Sequence, residues 1–223
     1  MKLSKKQFEE LLQREQLTLT LIGMSNVGKT YWSKKLSELN FEHLNCDDLI
    51  EAKLAPELKA LGYSGIEDVS RWMGQPYDGR FAANQQKYLE FEKQVLQRIL
   101  SDIKKSKTRN TVIDTTGSFV HTGEGLCSKI KENTLIIYIE APKSMREEMF
   151  KRYMENPKPV VFGNLFSKEK NETDKEALGR AYLKLLDSRS QLYTKYADII
   201  IPYGSINTEV DPEKFISLVE KYL

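Results

Sequence analysis

Apolar and polar positions along this chain switch repeatedly between the two-residue period of strands and the 3.6-residue period of helices. Residues 17–22 are β-prone and apolar enough for a buried strand, and residues 30–39 return to helical spacing with Trp32, Leu36 and Leu39 on one side. Residues 41–45 predict a short second strand that runs into Cys46-Asp47-Asp48-Leu49-Ile50-Glu51. A helical region with Gly/Pro punctuation follows through residues 74–79. From about 80 to 105, Tyr88, Phe91, Val95, Leu96, Ile99 and Ile103 recur on one helical face and predict a single long helix. Residues 111–114 and 135–139 are buried-strand runs, with 116–118 and 123–125 read as loop between them. Pro142 opens a helix containing Met145, Met149, Phe150 and Tyr153, which stops before Asn156-Pro157-Lys158-Pro159. A helix over about 173–196, a strand at 198–201 and a closing helix after Pro212 complete the alternation. That order predicts a parallel sheet covered on both faces.

Residues 1–16 predict a short amphipathic helix, with neither the apolar core of a signal peptide nor the length of a membrane span. At 223 residues and 40% hydrophobic content, the chain is expected to form one α/β domain over 1–223, as a monomer or weak dimer. Its 34 basic and 32 acidic residues are interspersed, so no basic tract argues for nucleic acid and nothing argues for a membrane partner. Cys46 and Cys127 are too few for a disulfide framework and fit a reducing cytoplasm. His43 and His121 make no zinc spacing with each other or with the cysteines.

The chemistry concentrates in Gly23-Met24-Ser25-Asn26-Val27-Gly28-Lys29-Thr30, which fits G-x-x-x-x-G-K-[ST] between a predicted strand and a predicted helix. Glycines at both ends let the backbone turn tightly and aim successive N–H groups at phosphates, and the helix adds its positive dipole end. Lys29 then reaches the β and γ phosphates of ATP, and the Thr30 hydroxyl is placed for Mg²⁺.

Beyond this loop, Asn45-Cys46-Asp47-Asp48-Leu49-Ile50-Glu51 looks like the D-x-D-x-x-I-E motif of the shikimate kinases. Leu186-Asp187-Ser188-Arg189-Ser190-Gln191-Leu192-Tyr193 with Ala197-Asp198 is similar to that family's E-R-x-x-L-Y…A-D. The resemblance runs from Leu19 to about Ile201. It implies a three-layer α/β/α P-loop kinase fold, a five-stranded parallel sheet in order 2-3-1-4-5, and a mobile lid, here about 156–172. It also implies an acceptor-binding helical region over about 47–105, with Asp47 holding the acceptor hydroxyl and Arg189 facing the substrate.

The departures fall on the acceptor side. Asn45 stands where the family has its first aspartate, and Leu89 stands where the arginine of F-R-x-x-E grips a carboxylate. The G-G-G loop becomes Thr116-Gly117-Ser118, and the lid arginine of R-P-L-L becomes Lys158, which keeps charge but loses the planar fork. Asp114, ending a strand, is the candidate to replace Asn45 at Mg²⁺. Arg152 joins Lys158 as a candidate for the nucleotide, while Arg71 and Arg80 are candidates for a new acceptor clamp beside Gly117. The expected activity is ATP-dependent phosphoryl transfer to a small-molecule hydroxyl other than that of shikimate. A gluconate- or nucleotide-kinase-like activity and a non-catalytic ATP-binding module are the alternatives.

Overall fold

A computed structural model describes residues 2–105, 109–206 and 211–223. Five parallel strands, β1 (Thr18–Ile22), β2 (Glu42–Asn45), β3 (Thr111–Asp114), β4 (Leu135–Glu140) and β5 (Ile199–Pro202), form one sheet in the order β2-β3-β1-β4-β5. β1 and β3 are buried along their whole lengths, as covering on both faces requires. Register brings Leu21 of β1 and Asn45 of β2 level with Asp114 of β3, so three strands end together at one edge. In open parallel sheets that edge, outside the carboxyl ends, is where ligands sit.

The first helix, α1 (Lys5–Gln13), is closed by a capping box between Ser4 and Gln7 and buries Phe8. Helix α2 (Lys29–Ser37) packs on β1, β2 and β3, and the closing helix α9 (Pro212–Lys221) lies against it, with Trp32 stacked on Phe215 at 4.7 Å. The region between β2 and β3 holds α3 (Cys46–Ala60), α4 (Ile66–Met73) and the long α5 (Phe81–Lys105).

One expected loop is a helix: α6 (Glu124–Asn133) begins directly after Gly123, which takes φ +110° as its N-cap, and Gly125 lies inside it. Two glycines two positions apart suggested a loop, but Cys127 and Ile130 supply a buried stripe that makes the β3-to-β4 crossover helical. Helices α7 (Arg146–Glu155) and α8 (Asp174–Tyr196) complete the order, and α8 packs on β4 and α6. Among the described residues no helix is long and apolar enough to cross a membrane.

Candidate active site

Gly23 to Thr30 connect β1 to α2, with Gly23 at φ +146° and Gly28 at φ +91°. A Cβ on Gly23 would lie 2.8 Å from the Ile139 carbonyl oxygen, so the loop is pressed against the end of β4 where only glycine fits. Gly28 is the N-cap of α2 and no side chain caps that end, which leaves its amides to a ligand. Lys29 is buried and folds back over the loop, donating to the carbonyls of Gly23 at 3.0 Å and Met24 at 2.9 Å. Burial lowers the pKa of its ammonium, and the carboxylates of Asp114 and Asp47 oppose that shift.

Asn45 has a local task. Its side chain accepts the Asp47 N–H at 3.0 Å and caps α3, so helix begins directly after the strand and Asp47 stands in its first turn. Tyr88 of α5 donates its hydroxyl to Asp47 Oδ1 at 2.9 Å. Burial raises the Asp47 pKa, while the Tyr88 hydrogen bond and Lys29 pull it back.

A cavity of about 310 Å³ opens over the loop, lined by Ser25, Asn26, Gly28, Lys29, Thr30, Tyr31, Asp47, Gly117, Arg152 and Lys158. Phosphate-loop amides, one acid and three basic side chains thus converge on one space. Asn26, Arg152 and Lys158 also line an adjoining cavity of about 190 Å³ together with Glu155 and Asn156.

Thr30 supplies an oxygen to the main cavity, and a hard cation held mainly by phosphate, water and one hydroxyl fits that provision. Asp114, the candidate for Mg²⁺, ends β3 as expected; it is buried, is not among the lining residues, and its charge acts on Lys29. Among the described residues its Oδ2 has no hydrogen-bond partner, and it stands 3.6 Å from His43 Nε2, which has none there either.

Arg189 is buried with its guanidinium packed against Gly117, where an added Cβ would stand 3.0 Å from Nη1. It donates from Nη2 to the Val161 carbonyl at 2.8 Å and from Nε to His121 Nε2 at 3.4 Å. Burial and Arg189 push the pKa of His121 down to about 4, so it is the neutral acceptor in that pair.

Arg71 and Arg80 do not reach the cavity. Arg71 is exposed and pairs with Asp68 at 2.8 Å, one turn away on α4, and Arg80 donates to the Arg71 carbonyl at 2.9 Å. The Trp/Gly-rich segment containing them folds on itself through Asp78, which accepts the Gln75 N–H at 2.7 Å.

The segment expected as a lid, 156–172, has no regular secondary structure, but its centre is docked. Val160, Val161 and Phe162 are buried, Phe162 meets Phe81, Tyr153 and Tyr182, and Gln85 brackets Gly163 by accepting its N–H and donating to its carbonyl.

Sequence reasoning left out Tyr88, Glu92 and His121 as functional groups. Glu92 is fully buried, with its two carboxyl oxygens in hydrogen-bond contact with the hydroxyls of Thr116 and Ser118. The signal was available: a glutamate sits on the same helical face as Tyr88, Val95, Leu96 and Ile99.

Solved structures share this architecture. The shikimate kinase of Bacteroides thetaiotaomicron superposes with TM-score 0.56 at 15% identity, covering 92% of this chain and 97% of that one. The shikimate kinase of Acinetobacter baumannii in complex with shikimate gives TM-score 0.55 at 19% identity, covering 95% of this chain and 94% of that one. The fold is that of the shikimate kinases. It extends to the dephospho-CoA kinase of Campylobacter jejuni, with TM-score 0.51, 13% identity, and coverage of 92% of this chain and 95% of that one. No protein-family model matches the chain, and no curated protein matches it in sequence.

Proposed function

We propose that this protein transfers the γ-phosphoryl group of Mg-ATP to a hydroxyl of a small molecule. The observation that carries the reading is the single cavity shared by the phosphate loop, Lys29, Thr30, Asp47, Arg152 and Lys158. Phosphoryl transfer asks mainly for positioning and charge neutralisation. The loop amides and Lys29 would hold the phosphates, with Lys29 leaving the carbonyls of Gly23 and Met24 to do so. Mg²⁺, held from Thr30, would neutralise charge between phosphates. Arg152 and Lys158 would face the transferring group, and Asp47, fixed by Tyr88, would accept the proton of the attacking hydroxyl or aim it in line. Such an activity, with Cys46 and Cys127 as buried free thiols, fits the cytoplasm.

The acceptor side supports a substrate other than shikimate. Leu89 is half-buried against the apolar core and offers no carboxylate grip, and Arg189 already holds Val161 and His121. Since Arg71 and Arg80 pair locally instead of converging here, a clamp for a nucleotide acceptor's phosphate is also missing from the cavity lining. A hydroxyl of an uncharged polyol remains the best fit.

Calorimetric titration with Mg-ADP tests the nucleotide half. The wild type is expected to bind with a 1:1 stoichiometry and Lys29→Ala at least tenfold more weakly. Equal binding by both proteins would remove the phosphate loop from the reading.

A further inference from the structure

Four side-chain oxygens meet at the residues that flank Gly117. Glu92 Oε1 accepts from Thr116 Oγ1, Glu92 Oε2 lies 2.6 Å from Ser118 Oγ, and the two hydroxyl oxygens lie 2.9 Å from each other. Thr116 Oγ1 also accepts the Ser118 N–H at 3.0 Å. Three oxygen-to-oxygen contacts need three hydrogens, and two hydroxyls supply only two. A proton on Glu92 provides the third: Glu92 then donates to Ser118, Ser118 to Thr116, and Thr116 back to Glu92.

We propose that Glu92 is a positioning residue working as the neutral acid, whose carboxyl proton closes this ring and thereby holds Gly117 at the wall of the phosphate cavity. Gly117 needs exact placement. It stands against Ser25 of the phosphate loop and the Arg189 guanidinium, where an added Cβ would meet Arg189 Nη1 at 3.0 Å and Ser25 Oγ at 3.5 Å, and its carbonyl accepts the Tyr193 hydroxyl at 2.5 Å. The ring holds it through Thr116 and Ser118, the residues on either flank.

The surroundings agree. Among the described residues no basic side chain forms an ion pair with Glu92, and burial raises its carboxyl to about 7, with the two hydroxyls and Arg189 pulling down and Asp47 pushing up. The Glu92 charge in turn raises the pKa of Cys46 on α3, Tyr88 on α5, Cys127 on α6 and Tyr193 on α8, the other titratable groups that face it. Loss of the proton above neutrality breaks the Ser118-to-Thr116 bond, because both hydroxyls must then point at the carboxylate. Any effect of this on turnover rests on the kinase reading; the ring itself does not.

The test is nuclear magnetic resonance of the whole protein from about pH 5 to about pH 9, following the Glu92 side-chain carboxyl carbon and the Gly117 amide. In the wild type both are expected to titrate together near neutrality. Glu92→Gln keeps an acceptor for Thr116 and a donor for Ser118, so Gly117 should hold its low-pH position throughout. Ser118→Ala opens the ring and should shift the Gly117 resonance at every pH. A Glu92 carboxyl titrating near its ordinary value of 4.5 would overturn the proposal, as would an unchanged Gly117 titration in Glu92→Gln. Mg-ADP titration of the same samples reports separately on the kinase reading: protein that fails to bind nucleotide but shows the paired titration keeps the ring and loses the kinase.

Discussion

A carboxyl group without a cation, deep in a protein, carries a stability signature set by the sign of its shift. Glu92 is raised from 4.5 to about 7, so between those values the folded state binds more protons than the unfolded one. Its contribution is fully present below about pH 4.5 and is lost as pH rises through about 7, a change of roughly 3 kcal/mol at 1.36 kcal/mol per unit. Glu92→Gln abolishes that dependence. In urea unfolding the variant should therefore gain on the wild type steadily from pH 5 to about pH 8, and a constant difference would show that the buried carboxyl does not titrate in this range. His121 works in the opposite direction: lowered from 6.5 to about 4, it binds fewer protons folded than unfolded, and its contribution is lost as pH falls from 6.5 towards 4. Tyr88→Phe removes a donor from Asp47, costing about 1–3 kcal/mol and pushing the Asp47 pKa further up. The acidic limb of the turnover profile should then move to higher pH; an unmoved limb would separate Asp47 from the proton transfer. The phosphate loop was legible residue by residue because its motif is contiguous and each position has a fixed backbone role. Glu92 and His121 were not, because their importance lies in partners twenty-four or more positions away, Thr116, Ser118 and Arg189.

Periodicity read the elements better than their ends. The buried face of α5 was predicted from Tyr88, Phe91, Val95, Leu96, Ile99 and Ile103, and all are buried except Phe91, which is half-buried at the edge of the core. The same face includes Glu92, so one helix carries two anchors a turn apart, Tyr88 to Asp47 and Glu92 to the loop after β3. Helix α6 was hidden by Gly123 and Gly125, whose punctuation outweighed a short apolar stripe. Composition also suggested that 156–172 was a freely moving lid, since two prolines and a run of charges say nothing of what Phe162 will meet. The centre is docked through Val160, Val161 and Phe162. Hydrogen exchange without nucleotide should show residues 160–163 protected and 166–172 exchanging quickly. Phe162→Ala should cost about 3–5 kcal/mol if its pocket opens only with the whole fold, and much less, with local loss of protection alone, if the segment detaches independently. Fast exchange at 160–163 in the wild type would contradict the docked arrangement.

At the scale of the molecule, strand order and crossover rules bring loops from β1, β2 and β3 to one edge, which is why Gly23 to Thr30, Asp47 and Gly117 share a cavity despite their separation in sequence. The same topology leaves Arg71 and Arg80 outside, because α4 and the turn after it fold against each other away from that edge. Helix α5 supplies two anchors near this edge, Tyr88 on Asp47 and Glu92 on Thr116 and Ser118. The central claim is phosphoryl transfer from this cavity, and coupled ADP release with Mg-ATP tests it most directly. Shikimate, gluconate, neutral polyols and nucleoside monophosphates would be compared with an acceptor-free control, for the wild type and Lys29→Ala. The account predicts acceptor-dependent release with a neutral polyol, little or none with shikimate or gluconate, and a loss of at least about a hundredfold in Lys29→Ala, on the order of removing one preorganised donor. Release that is independent of every acceptor, or that survives intact in Lys29→Ala, would contradict it.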